Sequence, residues 1–168
     1  MDRTDMDVLT PTEAAVVSSV QVRDVNRVID EQILPGNLYE VGRDRSRRLY
    51  VNACVFISFY FASATKLTSE ERLRTITAAN KLLGREPLAA LKKEWIIRED
   101  FLSIDLAPFL RGALERLEKL SAARSVVTED PDILGGTPVV KGTRIPVYDV
   151  AASVANGLPK KRILSAYP

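Results

Sequence analysis

Apolar residues recur at helical spacing along the first part of the chain. Residues 9–34 contain two such runs, and a pair of adjacent serines separates them. Apolar positions three and four residues apart line one face of a helix. Thr10, Pro11 and Glu13 precede the first run, and they supply a cap, a first-turn proline and a capping-box acid. The pattern predicts two consecutive helices joined by a tight connection, the second of which ends before Pro35.

A basic hairpin is predicted directly after these two helices. Residues 38–41 and 49–51 are short β-prone runs, and a polar segment that begins with Gly42 lies between them. Short apolar runs on either side of a glycine-containing turn are typical of antiparallel hairpins. The segment between the two runs contains four arginines, so we expect the tip and rim of the hairpin to be positively charged.

The middle of the chain is predicted to be mostly helical. The predicted segments are a helix at 52–64, a helix at 69–83, an extended stretch at 94–106 and a helix at 107–122. Asn52 is expected to cap the first of these helices and Thr68 or Ser69 the second, and Gly84 stands where a C-cap glycine would. The overall prediction is a mainly α chain with short β-hairpins.

A leucine-rich stripe follows the predicted helix 107–122. Its apolar residues are spaced alternately four and three apart over barely two heptads. The stripe either faces the core of the chain or forms a seam with a second copy. The candidate dimerisation residues are Leu110, Leu114, Leu117 and Leu120.

The last part of the chain contains closely spaced turn signals. Asp130-Pro131, Gly135-Gly136 and Lys141-Gly142 each favour a turn. Residues 138–140 and 143–145 are then expected to pair as a hairpin. A helix beginning near Val147 and ending at Gly157 follows, and Pro159 opens another with Ile163 and Leu164 facing inward. The predicted domains are 1–84, a connecting strand and helix at 85–124, and 125–168.

Composition narrows the classes of function. Histidine is absent from the 168 residues, which excludes Ser-His-Asp and Cys-His catalysis and any zinc site with imidazole ligands. The single cysteine, Cys54, excludes an all-thiolate zinc site and an intrachain disulfide. A divalent-metal nuclease would need converging carboxylates, and no compact acidic cluster indicates one. We therefore expect no enzyme activity, no metal and no cofactor.

Location and charge restrict the partners. No apolar run approaches the ~20 residues of a membrane span, and Asp2, Asp5 and Asp7 are the opposite of a basic leader. With one cysteine, these features predict a cytoplasmic protein with no membrane contact. The net charge of +2 is too small for non-specific nucleic-acid binding, so any DNA contact must come from a local arrangement.

The two helices and the basic hairpin occur in the order of a DNA-binding module. They resemble the winged helix-turn-helix of MerR-type and excisionase-type regulators. The resemblance implies that the second helix enters the major groove, where arginine pairs with guanine and asparagine or glutamine with adenine. The candidate base-reading residues are Gln21, Arg23, Asn26 and Arg27. The candidate phosphate or minor-groove contacts are Arg43, Arg45, Arg47 and Arg48. The alternative is an ordinary solvated helix face and charged loop.

The C-terminal run DPDILGGTPVVKGTRIPV, followed by NGLPKKRIL and a final Tyr-Pro, is the most distinctive motif. It resembles a domain family long labelled as of unknown function, which occurs in VapB-like antitoxins and beside PIN-domain ribonucleases. The resemblance implies a small domain of hairpin and helices, often dimeric, whose partner is a PIN-type ribonuclease. Candidate partner contacts are Lys160, Lys161 and Arg162, unless these form a solvated helix face. Family members usually continue with a further helix, so either the chain extends past Pro168 and toxin contacts lie there, or that helix is absent.

These features lead to one preferred function and one alternative. The preferred function is an antitoxin that binds a PIN-domain, VapC-like ribonuclease toxin and represses its own operon as a DNA-binding homodimer. The alternative is a stand-alone transcriptional regulator with an accessory dimerisation domain. The two differ in whether a ribonuclease partner exists.

Overall fold

The chain is mainly helical, with small antiparallel sheets, in a computed structural model that describes residues 8–83, 95–99 and 101–167. It divides between Leu120 and Ser121 into two compact units. The first unit contains these elements in order: β1 (Val8–Leu9), α1 (Pro11–Ser18), α2 (Val22–Asp30), β2 (Tyr39–Val41), β3 (Arg47–Tyr50), α3 (Val51–Ala62), α4 (Ser69–Leu83), β4 (Ile96–Glu99), β5 (Leu102–Asp105) and most of α5 (Ala107–Ser125). The second unit contains the end of α5, then β6 (Val127–Thr128), β7 (Val139–Val140), α6 (Val147–Ala155) and α7 (Lys160–Ala166).

Helix α1 begins with the predicted capping box. The hydroxyl of Thr10 accepts a hydrogen bond from the backbone N–H of Glu13 at 3.3 Å, and the Glu13 carboxylate accepts from the backbone N–H of Thr10 at 2.9 Å. Pro11 occupies the first turn, where its missing N–H costs nothing. The start of this helix is confirmed.

Helix α1 ends at a serine in the left-handed region. Ser19 has φ 58°, its N–H donates to the carbonyl of Val16, and the N–H of Val20 donates to the carbonyl of Ala15. These two bonds form a Schellman motif, which usually has glycine at this position. The predicted break between the helices is confirmed, and serine makes the turn that glycine would make without strain.

The first three strands form an antiparallel sheet with the order β1-β3-β2. Leu49 lies at the centre, paired with Leu9 on one side and Tyr39 on the other. The predicted hairpin is confirmed, and β1 is a strand that the pattern did not indicate. Val51 begins α3 with Tyr50 as its N-cap residue, so the prediction that Asn52 caps this helix is wrong.

Helix α3 is buried on nearly every side and forms the centre of the first unit. Two of its three phenylalanines, Phe56 and Phe59, are almost completely inaccessible to solvent. Phe56 meets Trp95 edge to face at a centroid distance of 5.8 Å, and Phe59 meets Phe109 at 5.6 Å. A helix that is apolar all round belongs in a core. The elements on either side of it in the chain therefore pack around α3.

Helix α4 begins at the predicted cap. The hydroxyl of Thr68 accepts from the backbone N–H of Glu71 at 3.3 Å, and the Glu71 carboxylate accepts from the N–H of Thr68 at 2.7 Å. These hydrogen bonds from Thr68 lower the pKa of the Glu71 carboxyl. The predicted C-cap, Gly84, lies outside the described residues.

The predicted extended stretch is a hairpin followed by α5. Ile97 of β4 pairs with Ile104 of β5, so the chain reverses between Glu99 and Leu102. Leu110 is buried in the unit's own core, so it is not accessible to a second copy. The other three candidate seam residues, Leu114, Leu117 and Leu120, are partly buried against the same core. The leucine stripe faces the core of the chain.

The second unit keeps the predicted helices but changes the strand pairing. Val139 and Val140 of β7 pair with Thr128 and Val127 of β6. The predicted pairing of 138–140 with 143–145 is present only in part, because the N–H of Val140 donates to the carbonyl of Ile145 at 2.9 Å and Val139 forms an isolated bridge with Pro146. Gly157, at φ 72°, ends α6 in a Schellman motif, as predicted. Leu164 is exposed, so the prediction that it faces inward is wrong.

Candidate nucleic-acid interface

One face of α2 is buried and the opposite face is polar. Val25, Val28 and Ile29 pack into the core, against α1 and its surroundings. The four candidate base-reading residues, Gln21, Arg23, Asn26 and Arg27, lie outside this buried stripe. Gln21 is the N-cap residue, and its backbone N–H donates to the carboxylate of Asp24 at 3.2 Å. Arg23, Asn26 and Arg27 therefore share a helix face that a ligand can approach, and Gln21 lies at the N-terminal end of the helix.

The two arginines of α2 are exposed, and each is held only by a weak ion pair. Nε of Arg23 is 4.0 Å from the Asp24 carboxylate, and the Arg23 side chain is 80% exposed. Nε of Arg27 donates to Glu31 at 2.9 Å, and this hydrogen bond raises the pKa of the Arg27 guanidinium. Exposed ion pairs contribute only about 0–1 kcal/mol. Both guanidinium groups can therefore leave their carboxylates for a stronger anionic partner.

Arg47 of β3 binds α2 instead of pointing away from the protein. Its Nη2 donates to the carboxylate of Asp30 at 2.6 Å, and its Nη1 donates to Oδ1 of Asn26 at 2.9 Å. The residues bridged are 17 and 21 positions away in the chain. Arg47 and Asn26, both placed among the DNA contacts by the sequence, are joined here to one another. Together with Asp30 they fix the hairpin against the exposed face of α2.

The tip of the hairpin is a tight, ordered turn. The N–H of Gly42 donates to the carbonyl of Ser46 at 2.8 Å, and a Cβ at Gly42 would lie 2.6 Å from the Asp44 carboxylate. Asp44 accepts from both the hydroxyl and the N–H of Ser46, and these bonds lower the pKa of its carboxyl. Arg45 takes the left-handed conformation at φ 64°. The turn therefore uses the acid at the tip to hold the backbone.

Three arginines of the hairpin project into solvent. Arg43, Arg45 and Arg48 are exposed, and within the described ranges no hydrogen bond or ion pair at the distance of a salt bridge engages their side chains. Arg48 lies across the sheet from Glu40, whose carboxylate accepts from the hydroxyl of Tyr50. Among the described residues, the guanidinium groups of Arg43 and Arg45 therefore have no anionic partner at the distance of a salt bridge, whereas the charge of Arg48 helps to lower the pKa of the Asp44 carboxyl.

Helix α2 itself is not a basic surface. Asp24, Asp30 and Glu31 accompany its two arginines. The positive charge of this region lies at the hairpin, a short distance along the chain. The hairpin is therefore the part of this region with the stronger attraction for an anionic ligand, and α2 presents both acidic and basic side chains.

A contact that the sequence did not predict joins α5 to the helix pair. Nε of Arg116 donates to the backbone carbonyl of Val17 at 2.6 Å, across 99 positions of chain. Gly112 leaves room for the guanidinium, because a Cβ there would lie 3.1 Å from both terminal nitrogens. The bond satisfies a carbonyl at the end of α1, which has no partner within its own helix. The only sequence signal is a glycine four residues before an arginine.

The basic triplet of the second unit lies in the first turn of α7. Lys160, Lys161 and Arg162 are all exposed. Positive charge at the beginning of a helix opposes the helix dipole. These residues therefore do not stabilise α7 through its dipole, and their side chains are open to a partner.

The single cysteine of the chain is buried. Burial raises the pKa of the Cys54 thiol to about 12, so at neutral pH the sulfur is protonated and is not a nucleophile. No group of three or more histidine, cysteine or acidic residues that could hold a metal ion occurs within the parts of the chain that the structure describes.

Among the described helices, none has the length and apolar character needed to cross a bilayer. No solved structure matches the chain.

A family described as "Protein of unknown function (DUF433)" matches residues 127–168, where the sequence motif had indicated a domain of that kind. Over 166 residues the chain is 55% identical to "Uncharacterized protein y4eO" of Sinorhizobium fredii (strain NBRC 101917 / NGR234). This similarity covers 96% of the chain and 74% of the relative. The chain therefore belongs to the same protein family as y4eO, and it ends in a segment that matches the DUF433 family.

Proposed function

We propose that the chain is the antitoxin of a VapBC-like type II toxin–antitoxin pair. In this proposal α1, α2 and the β2–β3 hairpin form a winged helix-turn-helix that binds operator DNA and represses the operon as a homodimer. The second unit binds and neutralises a PIN-domain ribonuclease. Neither role requires catalysis or a cofactor from this chain.

The frame made by α2 and the hairpin is the observation that carries the DNA-binding role. Arg47 holds the hairpin to α2 through Asn26 and Asp30. A helix in the major groove and a wing on the adjacent backbone must keep a fixed distance from each other. The Arg47 bridge supplies that connection, and the free guanidinium groups lie at the other end of the hairpin. A merely solvated charged loop would not need a three-residue bridge at its base.

The toxin-binding role has separate support. The motif of residues 127–168 resembles the domain found in VapB-like antitoxins. The exposed basic triplet of α7 has the charge expected for contact with the acidic metal site of a PIN-type ribonuclease. Because α7 gains nothing from this charge at its first turn, a partner is the better explanation.

A stand-alone transcriptional regulator is the second candidate function. The same α2 and hairpin geometry favours it equally, since both functions need operator DNA. The second unit would then serve dimerisation alone. The two functions differ in whether the chain forms a stable complex with a ribonuclease.

The wing arginines provide a test of DNA binding. Replacing Arg43 and Arg45 with alanine is expected to weaken binding to specific and random DNA alike, because phosphate contacts carry no sequence information. The slope of log affinity against log salt should fall by about two, one unit for each lost phosphate contact. Fluorescence anisotropy at several salt concentrations measures both quantities.

A matched control has the same loss of charge elsewhere in the first unit. Lys66 follows α3 and Arg111 lies in α5; both are exposed, and replacing both with alanine should leave the salt slope unchanged. An equal effect of the two double variants would reduce the role of the hairpin to net charge. An unchanged slope for the Arg43 and Arg45 variant would remove the hairpin from the DNA interface.

Co-expression with the neighbouring gene product tests the antitoxin role directly. The expected result is rescue of growth together with a stable complex that contains a PIN-type ribonuclease. Replacing Lys160, Lys161 and Arg162 with glutamate should weaken that complex without affecting operator binding. Specific operator binding with no such partner would leave the transcriptional regulator as the function.

A further inference from the structure

We propose that the β4–β5 hairpin and the adjacent face of α4 form a homodimer interface, in which Phe101 of each copy enters the groove of the other. The inference assigns the dimer surface of the proposed regulator, and in that sense it rests on the proposed function. Its test requires neither DNA nor toxin.

Phe101 is the most exposed large apolar side chain in the described part of the molecule. It lies at the turn between β4 and β5, and solvent reaches it completely. A phenylalanine side chain buries about 150–250 Å² when it packs, so the exposed ring lacks the hydrophobic stabilisation that packing would provide. Hairpin turns favour glycine, asparagine and aspartate, so turn propensity does not explain a phenylalanine at this position. The ring is therefore suited to insertion into another surface.

A groove of matching character lies on the same unit. It runs between α4 and β4, with a volume of about 600 Å³. Its apolar lining comes from Leu73, Ala78, Leu82 and Ile96, and Leu82 is 73% exposed and Ile96 45% exposed. Phe101 does not fill this groove in its own chain, because its ring is in solvent.

The projecting ring and the groove belong to one hairpin. Ile96 lies in β4, five residues before Phe101. A surface that carries both a projection and a matching hollow is self-complementary, and a twofold axis lets each copy insert its projection into the other. A heterologous partner would require only one of the two features. This pairing of features is the reason for assigning a second copy of the chain.

The charges of the surface agree with self-association. The basic side chains of the groove are Arg74, Lys81 and Arg98, of which Arg74 lies 3.7 Å from Glu70. Lys81 and Arg98 have no ion pair among the described residues. Asp105 lies on the exposed face of the β4–β5 hairpin. The Asp105 carboxylate also accepts from the backbone N–H of Ala107 at 2.9 Å. Two copies therefore contribute both acids and bases to the surface, without a large excess of either sign.

The interface is expected to be modest and dominated by few residues. The two Phe101 rings would bury about 300–500 Å² together, a fraction of the ~1,200–2,000 Å² of a stable interface. The groove and the hairpin faces must supply the remainder. An aromatic anchor in a pocket usually dominates the binding energy of such an interface. Loss of the ring should therefore be the most damaging single change.

Sedimentation equilibrium of the purified full chain tests the interface. The natural chain is expected to dimerise, and Phe101→Asp or Leu82→Glu should each raise the dimer dissociation constant about tenfold or more. Val41→Asp is the matched control, since Val41 is a similarly exposed apolar residue of β2 away from this surface. Circular dichroism and thermal melting establish that each variant is folded.

A cysteine pair gives an independent measurement. A chain with both Phe101→Cys and Leu82→Cys should form a covalent dimer under mild oxidation, and each single variant should not. The natural Cys54 is buried and does not interfere.

Three outcomes would overturn the interface. They are a monomeric natural chain throughout the micromolar range, a dimer unaffected by both charge substitutions, and a monomer that uses Phe101 to bind a different protein. Operator binding measured on the same samples separates these outcomes from failure of the proposed function, because a dimer formed through another surface would still bind DNA.

Discussion

Replacing Phe56 with alanine should lower the free energy of unfolding by about 3–5 kcal/mol, the range for large aromatic truncations in a packed core. Phe56 is completely buried in α3 and its ring meets Trp95 edge to face at 5.8 Å. The loss combines the hydrophobic transfer energy of the ring with the cost of a cavity that a helix buried on all sides cannot collapse to fill.

Urea unfolding followed by tryptophan fluorescence measures this effect. Trp95 is the single tryptophan of the chain, so its emission reports directly on the neighbourhood of Phe56. Val16→Ala is the control, because it truncates an exposed apolar side chain of α1 and should change stability by less than about 0.5 kcal/mol. A Phe56→Ala loss below about 1 kcal/mol would mean that α3 is not the centre of the core.

Replacing Arg72 with alanine should lower the free energy of unfolding by about 2–4 kcal/mol, because a buried guanidinium with several hydrogen bonds is removed. Arg72 is buried in α4, and its Nη1 donates to the backbone carbonyl of Tyr60 at 2.8 Å. Its Nη2 donates to the hydroxyl of Ser69 at 3.0 Å, and the guanidinium lies 4.1 Å from the centre of the Tyr60 ring. The substitution leaves a buried carbonyl near the end of α3 unsatisfied and removes a cation–π contact.

Two variants separate the sources of this loss. Arg72→Lys retains the charge but not the planar set of donors, so it should recover only part of the stability. Arg74→Ala removes an exposed arginine two residues later and should cost no more than about 0.5 kcal/mol. Equal effects of Arg72→Ala and Arg74→Ala in chemical denaturation would contradict the structural role of Arg72.

The elements that local chemistry specifies were predictable from the sequence. Thr10 with Glu13 and Thr68 with Glu71 are capping boxes within four residues of chain, and both helix starts occur where this pattern placed them. Gly157 likewise ends α6 at its predicted position. Caps depend on neighbours in sequence, so their signal is visible without any tertiary structure.

The elements that depend on distant partners were not predictable. The two-residue strand β1 exists because it pairs with Leu49 and Tyr50, about forty residues away. The reversal at Phe101 lacks the glycine or asparagine that announces a hairpin, so the segment was expected to be simply extended. Asn52 has the side chain of a good cap, but Tyr50 takes the cap position and burial places Asn52 inside α3.

The candidate site shows the same division. The sequence located the arginines of the hairpin and the polar face of α2. It did not separate Arg47 from its neighbours, because the distinction depends on Asn26 and Asp30 lying within hydrogen-bond distance in space. Periodicity identifies which residues face away from the core, and only the folded structure identifies which of them already have partners.

The second unit has one consequence for the lifetime of the protein. Val139 is its only buried residue among those described from Ser121 onward, and no residue of α6 or α7 is buried. A segment with so few inaccessible side chains opens with a small free energy, so its amide hydrogens exchange quickly and its backbone is accessible to proteases. Cleavage would begin there long before the α3 core unfolds, and a bound partner would slow it by covering the segment. The amount of the protein in a cell would then depend on the fraction of chains whose second unit is bound by a partner.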